Sequence, residues 1–259
     1  TNEHGQYEQK IHYSWGKSTH DTIPECSNNH GKLPPPQLNT LFIPAKEVLT
    51  AFRDIKNIRN NYYGVGFDDT YYDLINALEL PTTRGRVADE LSLVNRDLEE
   101  LFEGKILQQP HDNNQPFIFK KGKQEFAMQQ TAEGIKKIGV LTTLINNRTL
   151  GKGTVLFMDE PEANLHPAAI RQLMRMLIRM SKAGVQIFLA SHSHFVIKQL
   201  AISSYEANVK TGCWSLERKN SNEVEMTFDD MSDGTLPSNS IVEESMQMYE
   251  EEIVIRAKH

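Results

Sequence analysis

An apolar run that ends in two adjacent carboxylates constrains this chain more than any other feature. Residues 155–158 are Val-Leu-Phe-Met, and Asp159, Glu160 and Pro161 follow directly. Uninterrupted apolar runs are typical of strands buried on both faces, and open α/β sheets bind ligands beyond the carboxyl ends of such strands. We therefore predict a buried strand that delivers Asp159 and Glu160 to a solvent-filled crevice. This layout is typical of nucleotide hydrolases.

The order of the two carboxylates suits phosphoryl transfer. Mg²⁺ bound to a triphosphate keeps several waters and takes only one or two protein carboxylates, which makes Asp159 the predicted metal residue. The next side chain projects in a different direction. Glu160 is therefore predicted to orient or deprotonate the water that attacks the γ-phosphate.

A second apolar run, residues 185–190, ends in Ser191 and His192. The segment between the two runs has apolar residues at helical spacing, with Pro167 suited to its first turn and Gly184 to its end. A parallel strand here would put His192 at the same sheet edge, where it can hydrogen-bond the γ-phosphate. An Asp-Glu pair alone is more often a solvated strand end, but a complete βαβ unit favours a site.

These motifs resemble those of the ABC-type ATPases of the SMC, RecF and OLD group. Residues 155–161 look like a Walker B strand with its catalytic glutamate, residues 163–166, which include Asn164, look like a D-loop, and residues 191–193 look like a switch-histidine motif. Residues 41–47 resemble a segment of OLD-like ATPases, which often occur in bacterial anti-phage defence. The resemblance covers about residues 41–200. It implies an α/β fold with a mostly parallel sheet and flanking helices, and ATP and Mg²⁺ as cofactors.

A predicted helix start before the Walker B strand has a further resemblance. Thr131 is suited to an N-cap, Gly134 allows close backbone approach, and helix N-termini favour phosphate. The segment resembles the signature motif by which one ATPase subunit contacts ATP held by another, although the expected Ser-Gly-Gly appears as Ala132-Glu133-Gly134. The resemblance implies that residues 131–134 bind ATP in a homodimer or higher oligomer. An ordinary capped helix is the alternative.

A phosphate-binding loop of the form Gly-x-x-x-x-Gly-Lys-Ser/Thr is not recognisable in the chain. Residues 16–19 are Gly-Lys-Ser-Thr, but Ile11 stands at the first glycine position and residues 10–15 alternate like a strand. We interpret residues 16–19 as a coincidental match and expect the phosphate loop to lie upstream of this sequence. A degenerate nucleotide site is the rival interpretation.

The pattern along the chain predicts four parts. Residues 1–45 are read as the end of a β-rich N-terminal lobe, with a strand at 41–43, and residues 46–110 as an inserted helical subdomain, helical to about Ile106. Residues 111–235 form the C-terminal ATPase lobe, with a hairpin at 117–128 and strands at 212–218 and 223–228. Residues 236–259 form an acidic helical tail from Ser240.

Composition limits the class of protein. A net charge of −6 disfavours wrapping of DNA by overall charge, although direct DNA binding stays open. No apolar stretch is long enough for a transmembrane helix, and two cysteines without framework spacing fit a reducing cytoplasm. The resemblance implies an effector nuclease or toxin subunit as partner. A RecF- or SMC-type repair ATPase and a non-hydrolysing scaffold are the alternatives, and the Asp229, Asp230 and Asp233 cluster is too sparse to make this chain the nuclease.

Overall fold

The computed structural model describes residues 39–61, 67–82, 89–109, 116–220 and 223–258, together with two short strands near the N-terminus. The chain divides into two compact units, Thr1–Gln37 and Leu38–His259. The first unit contains β1 (His12–Tyr13) and β2 (Cys26–Ser27), which pair antiparallel. Residues 16–19, which the sequence analysis interprets as a coincidental match to a phosphate loop, lie outside the described residues. The four-part domain division stays a prediction.

The second unit alternates strands and helices. Its elements in order are β3 (Asn39–Ile43), α1 (Phe52–Asn61), α2 (Asp69–Glu79), α3 (Asp89–Leu101), β4 (Lys105–Gln108), β5 (Phe117–Lys121), β6 (Gln124–Ala127), a 3₁₀ turn (Met128–Gln130), α4 (Glu133–Asn146), β7 (Thr154–Asp159), α5 (Pro167–Lys182), β8 (Gln186–Ala190), α6 (His194–Ala207), β9 (Gly212–Asn220), β10 (Glu223–Asp230) and α7 (Ser240–Arg256).

The main sheet is parallel and has the order β3-β7-β8, with β7 in the centre. Its register aligns Leu41 with Leu156 and Leu156 with Ile187. Helices flank this sheet, so the predicted α/β class with a parallel sheet is confirmed. The predicted strand at residues 41–43 and the predicted pairing of the two apolar runs are confirmed as β3, β7 and β8.

One face of the parallel sheet forms the core. Leu156 is fully buried and Met158 nearly so, and both belong to one hydrophobic cluster with residues of α1 to α5. Burying each such side chain contributes roughly 1.5–3 kcal/mol, so this face fixes the strand order. On the opposite face Phe42 is 36% exposed and Phe188 45% exposed, and the rings of Phe157 and Phe188 stack at 4.9 Å.

The predicted helix between β7 and β8 is confirmed as α5. Pro167 occupies its first turn, and Nδ1 of His166 accepts a 3.2 Å hydrogen bond from the amide of Ala168. The helix ends before Gly184, whose φ of +95° is readily adopted only by glycine. The helix packs on α3 and α6 and also contacts β8.

The helical region ends earlier than expected. The sequence predicts helix to about Ile106, but α3 ends at Leu101 and Ile106 lies in β4. The chain reverses at Glu103, which has a φ of +54°, and Gly104, where an added Cβ would lie 2.5 Å from the Phe119 ring. β4 then pairs with β5. The predicted hairpin at residues 117–128 is confirmed as β5 and β6, joined at Gly122.

The C-terminal predictions are also confirmed. β9 and β10 form an antiparallel hairpin, and the acidic tail is helical from Ser240. The side chain of Asn239 caps α7 by accepting a 3.0 Å hydrogen bond from the amide of Val242. Across the described ranges, no helix combines the length and the apolar character needed to cross a membrane.

Candidate active site

Three parallel strands deliver functional side chains to one edge of the sheet. β3 is followed by Lys46 and Glu47, β7 ends at Asp159 with Glu160 after it, and β8 is followed by Ser191 and His192. Because parallel strands share one direction, all of these groups lie at the carboxyl edge. The sheet order puts the β7 carboxylates between the other two sets.

Glu160 and His192 lie next to each other across this edge. Oε1 of Glu160 is 3.4 Å from Nδ1 of His192, and the two side chains are 42% and 76% exposed. The amide of Glu160 donates a 2.8 Å hydrogen bond to the carbonyl of Ala190, which continues the β7–β8 pairing by one residue. The two predicted catalytic residues are therefore brought together, and both are accessible to a ligand.

The backbone of Glu160 is held in a rare conformation. Its φ is +42°, in the left-handed region that costs a non-glycine residue roughly 1–2 kcal/mol. Its carbonyl accepts a 2.5 Å hydrogen bond from Nζ of Lys137 in α4. Burial lowers the pKa of Lys137, and the carboxylates of Glu162, Glu160 and Asp159 oppose this shift. Lys137 thus places a buried cation among three carboxylates.

Glu162 and Ser191 join the loops that follow β7 and β8. The Ser191 hydroxyl donates a 2.7 Å hydrogen bond to Oε1 of Glu162, and the amide of Ser193 donates to the Ser191 oxygen at 3.1 Å. Glu162 is buried, and its Oε2 has no hydrogen-bond partner among the described residues. This bridge fixes the loop carrying His192 relative to the loop carrying Glu160.

A cavity of about 520 Å³ opens beside Glu160. It brings together three residues singled out from the sequence, Glu133, Glu160 and Asn164, although they come from separate segments. Asn164 has a φ of +62°, a conformation that asparagine tolerates better than most residues. The lining is completed by Ala45, Lys46, Glu47, Lys137 and Ala163.

The predicted N-cap role of Thr131 is wrong. The N-cap of α4 is Ala132, without a side-chain hydrogen bond. Thr131 is buried and ends the preceding 3₁₀ turn, so its hydroxyl points back and donates a 3.0 Å hydrogen bond to the carbonyl of Ala127. A role of Thr131 and Ala132 in ATP binding stays a prediction.

Gly134 allows a close approach, but its neighbour is in the same chain. A Cβ added there would lie 2.6 Å from Cδ2 of Leu165 and 3.2 Å from the carbonyl oxygen of Asn164. The signature-like segment therefore packs directly on the D-loop-like segment. Glu133, the unusual residue of the motif, is paired with Lys136 at 2.7 Å.

The donor set suits a hard cation held mainly by water and phosphate. Asp159 is a partly exposed carboxylate at the strand end, and Mg²⁺ with a nucleotide needs only one or two such ligands. Within the described ranges, no three His, Cys, Asp or Glu side chains converge as a metal cluster. Asp159 is therefore a fitting metal residue, and an all-protein metal cage is not seen there.

Sequence reasoning missed Lys137 and Glu162. Lys137 lies in the continuous buried surface of α4, and a lysine on an otherwise apolar helix face is the signal that could have identified it. Glu162 lies directly after the Walker B-like segment, but its bridge to Ser191 depends on the pairing of β7 and β8. Lys46 lies within residues 41–47, a segment with a family resemblance to which no role was assigned.

Comparison with protein families identifies the family of the chain. Residues 16–198 match the AAA_21 family, described as "AAA domain, putative AbiEii toxin, Type IV TA system". The match covers more than half of the chain. The chain belongs to this AAA domain family. The predicted relation to ABC-type ATPases of the OLD and SMC kind is thereby confirmed.

Individual relatives match more distantly. The Old nuclease of Escherichia phage P2 is 24% identical over 111 residues, which are 42% of this chain and 19% of the phage protein. The chain thus spans about a fifth of that relative. Two solved structures are also similar. One comes from work on ATP-driven dimerization and DNA-stimulated activation of SMC ATPases. Its TM-score is 0.40 at 11% identity, and the match covers 62% of this chain and 91% of that one.

The second structure is the Smc head domain of Pyrococcus furiosus bound to the C-terminal domain of ScpA. Its TM-score is 0.38 at 14% identity, and the match covers 71% of this chain and 39% of that one. Because both TM-scores lie below 0.5, nothing about the activity of this chain follows from them.

Proposed function

We propose that this chain is an ATP-binding and ATP-hydrolysing subunit. The observation that carries the proposal is the pair Glu160–His192, 3.4 Å apart at the carboxyl edge of a parallel sheet, with Asp159 ending the central strand. The AAA family supports ATP as the nucleotide. Positioning and electrostatic stabilisation supply most of the catalysis in phosphoryl transfer, and this edge offers both.

Each residue has a separate task in this proposal. Asp159 holds Mg²⁺, which neutralises charge on the phosphates when bound. Glu160 accepts a proton from, or orients, the attacking water, because its carboxylate is accessible and its backbone is fixed. His192 donates a hydrogen bond to the γ-phosphate and thereby senses whether that phosphate is present. Asn164, Glu133 and the α4 start face the nucleotide of a neighbouring protomer.

The phosphate cradle is proposed to come from chain outside the described residues. Among those residues β8 pairs with β7 only, so its other edge carries no strand. A groove of about 830 Å³ runs along that edge, with β9 forming its far wall. Open strand edges are templates for a further strand, and a parallel strand here would end beside His192. The proposed site is therefore a composite of this edge, that strand and a second protomer.

Turnover of the complete polypeptide tests the hydrolysis. Glu160→Gln keeps shape and removes the base, so we expect retained ATP binding and a loss of phosphate release of about 10²–10⁴-fold. Glu243→Gln on the exposed surface of α7 is the matched control. Unchanged turnover in Glu160→Gln would overturn the assignment. ATP binding without turnover in the wild type would instead favour the non-hydrolysing scaffold.

Dimerisation around ATP has its own test. The Glu160→Gln variant should trap the ATP-bound state, so light scattering should show a dimer or higher oligomer with ATP and the smaller species with ADP. The same mass with both nucleotides would contradict the proposal.

We also propose that the ATPase controls an effector nuclease or toxin in anti-phage defence. The family description and the Old nuclease similarity support this, while a RecF- or SMC-type repair role is the alternative. Phage plating on cells that carry the natural locus, with wild type or Glu160→Gln, separates the two. Equal plating combined with sensitivity to DNA damage would favour repair.

A further inference from the structure

Lys137 makes a contact that the proposed reaction has not used. Its side chain is buried in the second turn of α4, where the residue is 4% exposed, and its Nζ donates a 2.5 Å hydrogen bond to the carbonyl of Glu160. Lysine is almost never buried without a partner, because the loss of hydration must be offset. The partner of Lys137 is the main-chain carbonyl of Glu160, the residue whose side chain is the proposed catalytic carboxylate.

The carbonyl of Glu160 accepts two hydrogen bonds, from the amide of Ala163 at 3.0 Å and from Nζ of Lys137 at 2.5 Å. β7 ends at Asp159, and the left-handed φ of Glu160 turns the next peptide out of the strand ladder. The amide side of Glu160 is already held by Ala190 at 2.8 Å. On the carbonyl side, the charge-assisted hydrogen bond from Lys137 adds to the one from the Ala163 amide. Both peptide planes around Glu160 are thereby set, and its side chain leaves the backbone in one direction.

The charges around Lys137 also favour a fixed orientation of Glu160. Asp159, Glu160 and Glu162 all act electrostatically on Lys137, so the cation also reduces the repulsion among these carboxylates. An apolar group of similar length would leave the Glu160 carbonyl with the Ala163 amide alone as donor among the described residues, and it would remove the cation that acts on the carboxylates. The main consequence would be a reorientation of Glu160.

We propose that Lys137 is a positioning residue, which holds the Glu160 backbone so that the carboxylate faces the attacking water. The inference rests on the proposed function, since it concerns the hydrolytic step. It assigns Lys137 no contact with the nucleotide. Loss of Lys137 should therefore lower kcat and leave the KM for ATP nearly unchanged.

The experiment compares Lys137→Met with Lys137→Arg in the complete polypeptide. We expect Lys137→Met to lower kcat about 100-fold, the typical effect of a misplaced catalytic group, with a KM for ATP within twofold of wild type. Lys137→Arg keeps a charged donor and should restore at least a tenth of the wild-type kcat. Lys123→Met at the exposed turn of the β5–β6 hairpin is the control. If Lys137→Met does not fold, Lys137→Gln replaces it, with the same expected split between kcat and KM.

A double variant separates positioning from general damage. Glu160→Gln with Lys137→Met should be no slower than Glu160→Gln alone, because the residues act as one unit. Wild-type kcat in the folded Lys137→Met variant, or a further loss in the double variant, would overturn the inference while leaving the proposed function intact. Wild-type kcat in Glu160→Gln would instead overturn the proposed function.

Discussion

The Ser191 hydroxyl donates a 2.7 Å hydrogen bond to Oε1 of Glu162, and this bond joins the loops that follow the central and outer strands of the parallel sheet. Glu162 is buried, and its second oxygen already has no partner among the described residues. A buried carboxylate that loses its remaining donor is costly. The bond therefore helps to hold the geometry of Glu160 and His192 on either side of it.

Removing this donor should destabilise the protein. We expect Ser191→Ala to lower the free energy of unfolding by about 1–3 kcal/mol, the cost of leaving a buried acceptor unsatisfied. Ser191→Thr keeps the hydroxyl and should lose less. Ser240→Ala, at the exposed first position of α7, is the control in urea unfolding. Equal stability of Ser191→Ala and Ser240→Ala would show that the bond contributes nothing.

Close packing at Gly139 leads to a second prediction. An added Cβ would lie 2.2 Å from Cγ1 of Ile106, so α4 and β4 touch where no side chain fits. Alanine favours helix by about 1 kcal/mol over glycine, but overpacking costs about 1–3 kcal/mol, so Gly139→Ala should be destabilising overall. Gly151→Ala is the control, because the nearest atom is 4.0 Å from its added Cβ.

A double-mutant cycle checks the cause of that effect. Ile106→Ala removes the clashing atom. In the Ile106→Ala background, Gly139→Ala should therefore lower the free energy of unfolding in urea little or not at all. Costs that simply add would contradict the packing explanation.

Asn239 connects the C-terminal helix to the hairpin. Its Oδ1 caps α7 at the amide of Val242, and its Nδ2 donates a 3.1 Å hydrogen bond to Oγ of Ser215 in β9. We expect Asn239→Ala to cost about 0.5–2 kcal/mol through the lost cap. Asn239→Asp should retain most of the wild-type stability, because an aspartate side chain caps a helix as well as asparagine does. Hydrogen exchange of α7 amides measures the effect, and unchanged exchange in Asn239→Ala would contradict it.

The sequence predicts the elements of this fold better than their contacts. Apolar residues at helical spacing, with Pro167 at the start and Gly184 after the end, identify α5. The two apolar runs identify β7 and β8. These signals are local in the sequence. The N-cap at Thr131 is predicted wrongly, since Thr131 ends the 3₁₀ turn, where its hydroxyl donates to the carbonyl of Ala127, and α4 begins one residue later. Lys137 bonds to Glu160 across 23 positions, and that contact depends on packing of α4 against the sheet edge. The helix and strand propensities of single residues carry no information on contacts between residues so far apart in the sequence.

The pH dependence of stability tests the environment of Glu99. Burial raises the pKa of this carboxyl above its ordinary value of 4.5, and Lys105 and Asn95 only partly oppose the shift. The folded protein therefore holds the proton more tightly than the unfolded chain, and stability falls as pH rises from 4.5 through the raised pKa. Glu99→Gln removes the charge that burial disfavours. Its Tm should exceed that of wild type at pH 7 and approach it near pH 4. Glu100→Gln, an exposed neighbour, is the control, and a Tm difference for Glu99→Gln that is independent of pH would contradict the prediction.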